Sequence, residues 1–327
     1  MAYVTVLPVP AAAEGDDKPS NRTSLVQTGL DGAFVLPNIL PGSYYVIALK
    51  LGYSIPGPYS NGDFANYDKA PQDVRDALAD AFPPVMVVAN RVSSTTIVLR
   101  RGAVIAGTVR FDDGEPDSET NVSLLRKDKS GKWIEFQQRG DNSSGNSTDD
   151  QGNFRISSLP AGEYLLRTTL ALSMGTPYAP DYRWDIYFGD GIRPRDAKTI
   201  KLKDDEESSG NNIEIPLARL HSISGTVLSE ETGAAINQAD VELHNADDDS
   251  TCTVTAINRA TGQFHFPYVV EGEYTLKVTK AADLAPGGRS HDEKPLRTYA
   301  DASQPLIVTG ERNGVTIQLR AKPEATN

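Results

Sequence analysis

The sequence predicts an all-β chain of three tandem β-sandwich domains, and three observations predict it. One motif recurs three times at fixed internal spacing, short runs alternate apolar and polar residues, and turn-forming residues stand between the runs. The first copy of the motif is Asp31-Gly32-Ala33-Phe34 followed by Leu40-Pro41-Gly42-Ser43-Tyr44. The second is Gln151-Gly152-Asn153-Phe154 followed by Leu159-Pro160-Ala161-Gly162-Glu163-Tyr164. The third is Thr261-Gly262-Gln263-Phe264 followed by Glu271-Gly272-Glu273-Tyr274. In each, the Phe lies two residues after the first Gly, the second Gly ten after it and the Tyr twelve after it. The first glycines are 120 and then 110 residues apart. The spacing divides the chain into domains over 1–101, 102–219 and 220–327, joined near Arg101-Gly102 and Arg219-Leu220.

Each part of the motif has a local reason. Gly32, Gly152 and Gly262 end a turn, where glycine adopts positive φ without cost. The Phe then starts a strand, Phe-x-Leu or Phe-x-Ile in the first two copies, with alternate residues facing inward. Pro41 and Pro160 set the next turn before Gly42 and Gly162. Tyr44, Tyr164 and Tyr274 open the strand after it. A Tyr there can bury its ring and bond its hydroxyl to backbone, as in a tyrosine corner. Copies two and three begin with matching strands, Ala103-Val104-Ile105-Ala106-Gly107-Thr108-Val109 and His221-Ser222-Ile223-Ser224-Gly225-Thr226-Val227. The next strands start at Val122 and Val241. Closing strands read at Thr96-Ile97-Val98-Leu99, Ile213-Glu214-Ile215 and Val315-Thr316-Ile317-Gln318-Leu319. Only residues 70–82 read as helical, with Pro71 in the first turn and Val74, Leu78 and Phe82 at helical spacing.

The first copy is incomplete. Val4-Thr5-Val6-Leu7 aligns with the second strands, and nothing before it supplies the first. Either the start is truncated or the sheet lacks one strand. A missing strand exposes unpaired backbone and invites pairing with another chain.

The Gly-x-Val, Asp-x-x-Gly-x-Phe and Leu-Pro-x-Gly-x-Tyr elements, best seen from Thr148 to Tyr164, resemble bacterial carboxypeptidase regulatory-like domains. The resemblance covers nearly the whole chain. It implies transthyretin-like, collagen-adhesin B-type Greek-key sandwiches, the first lacking its N-terminal strand. The segment Ile186-Tyr187-Phe188-Gly189-Asp190, with Ile200-Lys201-Leu202 and Ile213-Glu214-Ile215, resembles tandem arrays of soil bacteria. The resemblance implies a non-catalytic module, because in that family the zinc peptidase domain is a separate neighbour. It also implies export to the periplasm, the cell surface or the medium. Adhesin-type relatives form a Lys–Asn crosslink from a first-strand Lys, and neither first strand here contains one.

Composition narrows the chemistry. Of 327 residues, 39% are hydrophobic and 23% charged, which fits a folded chain. No run approaches the roughly 18 apolar residues that a transmembrane helix needs. The start, Met1-Ala2-Tyr3-Val4, carries no basic region of a signal peptide. Thirty-two Lys and Arg against 44 Asp and Glu give a net charge of −12, which disfavours nucleic acid as a partner. One cysteine, Cys252, excludes an intrachain disulfide, and its alternating surroundings point to a packed thiol. A zinc carboxypeptidase needs His-x-x-Glu, yet Ser224, Asp247, Tyr268 and Lys294 follow the four histidines at that spacing. No nucleophile elbow or phosphate loop occurs. The expectation is no catalytic residue and no cofactor.

Two binding chemistries stay open. Asp112, Asp113 and Asp117 are calcium candidates in an acidic loop, although the spacing is not that of an EF-hand and a solvated hairpin tip explains them equally well. Tyr178, Tyr182, Trp184 and Tyr187 lie close together and could stack on sugar rings, or could fill a domain interface. The leading expectation is a structural spacer or interaction array at the cell envelope, with a protein or polysaccharide partner. A carbohydrate-binding array and an accessory module of a larger peptidase or outer-membrane receptor are the alternatives.

Overall fold

The computed structural model describes residues 1–9, 25–54, 76, 79, 82–127, 130–136, 146–172, 182–189, 191–285 and 295–323. Apart from a single 3-10 turn at Leu217–Arg219, the named elements among these residues are β-strands. The helix read over 70–82 lies outside the described residues at all but Asp76, Ala79 and Phe82. The chain divides into two compact units. One holds Met1–Arg110, Pro116–Thr168 and Tyr187–Ile213, and the other holds Phe111–Glu115, Thr169–Ile186 and Glu214–Asn327. These divisions do not coincide with the repeat boundaries.

In the first unit, an antiparallel sheet runs in the order Leu25–Gln27, Tyr3–Pro8, Gly42–Leu49, Val85–Val87. Its inward residues Val4, Val6, Val46 and Ala48 are buried, and Phe34, Leu36, Ile97 and Leu99 pack against them. The predicted strands at Phe34 and at Thr96 do not form, because neither 33–37 nor 91–99 belongs to any ladder. In the other copies the corresponding segments pair with a first strand, which has no counterpart among the described residues of copy one. The Arg101-Gly102 joint is held by backbone. Arg100–Arg101 pairs with Tyr53–Ser54, the Gly102 amide donates to the Gly52 carbonyl (3.0 Å), and the Gly52 amide donates to Ser158 Oγ (2.9 Å).

The same unit contains most of the second sandwich. Ala103–Phe111 lies between Asn153–Leu159, antiparallel, and Glu207–Ser208, parallel. On the other sheet Gly162–Leu172 is flanked by Val122–Lys127 and Ile200–Leu202, with Trp133–Phe136 outside Val122–Lys127.

The second unit contains the third sandwich. Leu220–Ser229 lies between Gln263–Val270, antiparallel, and Arg312–Leu319, parallel. The facing sheet runs Thr251–Ala256, Gln238–Asn245, Gly272–Asp283, Arg297–Thr298, with Ala302–Val308 also paired to Gly272–Asp283. Alternation over most of Leu220–Ser229 and Gln238–Asn245 buries Ile223, Val227, Val241 and Leu243 between the two sheets.

Candidate functional site

The motif is a packing device in both complete copies. Gly152 and Gly262 sit at φ +76° and +66°, and Gly32 at +83°, so all three turn glycines use the left-handed region. The Phe two residues later pairs across the ladder with the glycine of the Gly-x-Val element: Phe154 with Gly107, and Phe264 with Gly225. A Cβ at Gly107 would stand 2.9 Å from the Phe154 ring and 2.2 Å from the Asn211 carbonyl oxygen. At Gly225 the corresponding distances are 2.5 Å to Phe264 and 2.2 Å to the Val315 carbonyl oxygen. The glycine makes room for the tip of the ring and for the neighbouring carbonyl. Its recurrence is visible in sequence, but its role needs the opposing Phe, which only the ladder register supplies.

The tyrosines form corners. Tyr164 Oη donates to the Pro160 carbonyl at 2.6 Å, and Tyr274 Oη donates to the Val270 carbonyl at 2.7 Å, each four residues back. Burial pushes the Tyr164 phenol up to about 12, the nearby Arg126 charge offsetting it only in part. Tyr44 occupies the same place in copy one but is only half-buried.

The aromatic candidates are also packed. Tyr182 and Trp184 lie in the strand Tyr182–Tyr187, which alternates buried and exposed positions at its start. Within the second unit, the Trp184 indole N–H donates to the Tyr268 carbonyl (3.0 Å), and its ring meets Tyr274 edge-on at 6.0 Å. Tyr182 meets Tyr268 edge-on at 5.8 Å. Tyr187, in the first unit, is buried with Leu125 and Leu165. Trp184 is 5% exposed and Tyr182 and Tyr187 are each 3% exposed, so these three faces are not presented as an open stacking platform. Tyr178 lies outside the described residues. Tyr268, absent from the sequence-based candidates, organises the cluster in the second unit. No local signal marks it, since it follows Pro267 in an ordinary apolar run.

The acidic candidates each accept a hydrogen bond. Asp112 accepts from the Ala218 amide (2.7 Å), and Asp113 accepts from the Glu115 amide (3.0 Å). Asp117 accepts from the Thr120 hydroxyl (2.5 Å). Among the described residues, no group of three or more His, Cys, Asp or Glu converges as a metal site requires.

Two histidines, His244 and His221, bond acidic groups of the third sandwich. His244 lies at the end of the strand Gln238–Asn245, buried, with Nε2 2.9 Å from Glu242 and Nδ1 2.8 Å from the Asp249 carbonyl. The His244 bond, with help from Thr279, holds the Glu242 carboxyl below its usual range. His221 and Arg219 both reach Glu271 (3.0 and 3.2 Å), which they likewise hold low. Cys252 is half-buried in the strand Thr251–Ala256. His291 lies outside the described residues. No described helix is long and apolar enough to cross a membrane.

Residues 222–319 match the family model of the carboxypeptidase regulatory-like domain, so the third copy carries that family's signature. The match spans the third sandwich, from the first strand to the last. No curated protein matches. Among solved structures, a Streptococcal ancillary pilin is 12% identical, with a TM-score of 0.38, over 88% of this chain and 77% of that one. GBS52, the minor pilin of Streptococcus agalactiae, is 13% identical, with a TM-score of 0.37, over 69% and 98%. BcpA, the major pilin subunit of Bacillus cereus, is 9% identical, with a TM-score of 0.25, over 68% and 100%.

Proposed function

We propose that the chain is a non-catalytic structural and interaction module, acting outside the cytoplasm as a row of β-sandwich copies that carries loops and edges to a partner. One observation supports this most. The residues that recur are spent on shape: a turn glycine, a Phe laid over a glycine, and a Tyr hydroxyl on a backbone carbonyl. None of them presents a nucleophile, a base or an open ligand position. The family match over 222–319 also favours the narrower reading of an accessory module beside a peptidase. Extracellular placement rests on the family resemblance.

The test is direct. The purified chain is incubated with peptide and glycan substrates, with and without added zinc or calcium, and is screened on an oligosaccharide array. No turnover and no saturable sugar binding are expected. Metal-dependent hydrolysis would overturn the reading, and specific glycan capture would replace it with a carbohydrate-binding one.

A further inference from the structure

His244 is buried although it lies on the outward side of its sheet. Along Gln238–Asn245, Val241 and Leu243 turn into the sandwich, and Glu242 and His244 fall on the opposite side. Yet only 7% of His244 is exposed. The chain beyond it turns back against the ring. The Asp249 amide donates to the Asn245 carbonyl (3.1 Å), and the Asn245 amide donates to the Ser250 carbonyl (2.9 Å). Asp249 takes φ +57°, a conformation uncommon for a residue with a Cβ, and its own carbonyl stands against the ring.

Both ring nitrogens meet oxygens that accept. Nδ1 is 2.8 Å from the Asp249 main-chain carbonyl, which cannot donate, and Nε2 is 2.9 Å from Glu242 Oε2. The other Glu242 oxygen already accepts the Thr279 hydroxyl (2.9 Å). A neutral imidazole has one N–H and one lone pair, so it satisfies one of these oxygens and turns a lone pair on the other. The imidazolium satisfies both. A protonated Glu242 would supply the same hydrogen, but its carboxyl is held below the usual range, first by the His244 bond and then, against the cost of burial, by the Thr279 hydroxyl. The surrounding charges favour a cation as well. Asp240 and Glu242 lie on the same strand, and Asp247, Asp248 and Asp249 lie in the loop. The neighbouring strand Gly272–Asp283 brings Glu273, whose carbonyl accepts the Ala246 amide (3.3 Å), and two lysines, each turned to an acid. Lys277 reaches Asp249 (2.5 Å) and Lys280 reaches Asp240 (2.9 Å). On the other side, Thr251–Ala256 carries no titratable group but the Cys252 thiol. Acids outnumber lysines around the ring, and nearby negative charge stabilises a protonated one.

We infer that His244 is a proton-operated latch: the doubly protonated ring ties residues 246–250 to Glu242 on the sheet, and loss of one ring proton as pH rises loosens that loop. The stabilisation is present while the ring is charged and is lost on the alkaline side. Histidine changes charge in the range where a surface loop can be switched under physiological conditions. This inference goes beyond the non-catalytic reading and does not depend on it.

The experiment uses the full chain. Hydrogen-exchange protection of the Asn245 and Asp249 amides, each taken against free exchange at the same pH, is measured at about pH 5 and about pH 8. It is expected to fall about tenfold at the higher pH, the low end of what losing one bond to a charged group costs, while the Leu276 amide in the core keeps its protection. Nitrogen NMR of the histidine rings should show both His244 nitrogens protonated at the lower pH, the signal being assigned by its loss in His244→Asn. That variant should leave the loop unprotected at both pH values. Glu242→Gln separates a latch from a merely structural contact. Its side-chain amide donates to a neutral Nε2, so the loop should stay protected at both pH values. Unchanged protection in the parent chain, a lone pair on either ring nitrogen at the lower pH, or an undiminished pH response in Glu242→Gln would each overturn the proposal. If Glu242→Gln fails to fold, as loss of Leu276 protection would show, the parent chain's protection and ring signals still decide it.

Discussion

At Gly107 and Gly225 a single methyl group has nowhere to go. The nearest atom to a Cβ at either position is a backbone carbonyl oxygen at 2.2 Å, which cannot swing aside as the tip of a side chain can. Gly225→Ala is therefore expected to destabilise the third sandwich by about 1–3 kcal/mol. Gly310 has no heavy atom within 4 Å of its Cβ position, so Gly310→Ala serves as the control and should stay within about 0.5 kcal/mol of the parent. Urea unfolding of both variants tests the pair, and equal midpoints would refute the steric account. The corner tyrosine gives a second test at this scale. Tyr274→Phe keeps the ring but leaves the buried Val270 carbonyl without its donor, a loss of about 1–3 kcal/mol. Wild-type stability in that variant would mean that another donor reaches the carbonyl. The turn glycine and the tyrosine corner were both legible in sequence, because each is a local feature decided within a few residues. The glycine under the Phe was not, because its reason lies on a different strand, 47 residues away for Gly107 and 39 for Gly225.

A strand is a statement about its neighbour as much as about its own residues. The Phe-x-Leu run at Phe34 and the run at Thr96 have the alternation of strands, and they keep the burial that alternation predicts. They lack the ladder, since hydrogen bonding in a sheet needs a partner that periodicity cannot supply. The aromatic segment at Tyr182 shows the converse. Clustered rings read equally well as a binding platform or as a packed interface. The Tyr268 carbonyl facing the Trp184 indole, the edge-on rings and the burial favour packing. Cross-strand charges add a pH dependence at this level. Glu163, in the strand Gly162–Leu172, bonds Lys201 (2.9 Å) and Lys127 (3.3 Å) on the two flanking strands. Both lysines, Lys201 first, hold its carboxyl below the usual range. A lowered folded value means that the stabilisation is present above the unfolded value and is lost as pH falls through the folded one. The urea midpoint of the first unit should fall on acidification below about pH 4.5, and Glu163→Gln should make that fall shallower. The effect is small because the group is exposed and screened. Identical pH profiles for the two proteins would show that the pairs contribute nothing.

For the whole molecule, repeat boundaries and compact units answer different questions. The repeat follows the order of strands along the chain, while compactness follows which side chains share a core. Residues 169–186 belong to the second copy by sequence, yet they belong to the compact unit that holds the third. This division predicts how an excised third copy behaves. Residues 220–327 contain both sheets of their own sandwich, with Ile223, Val241, Leu276 and Val278 fully buried. The fragment is expected to fold alone and unfold cooperatively, as a domain with its own core does. It should also be less stable than the same residues in the full chain, because Tyr268 and Tyr274 lose the rings of Tyr182 and Trp184. Burying a large aromatic side chain is worth about 1.5–3 kcal/mol, so the fragment should lose stability on that order. Hydrogen exchange compares the two forms amide by amide. A fragment with no cooperative transition would mean that the third copy is not a folding unit, and one as stable as its counterpart in the full chain would mean that the aromatic cluster carries no stability.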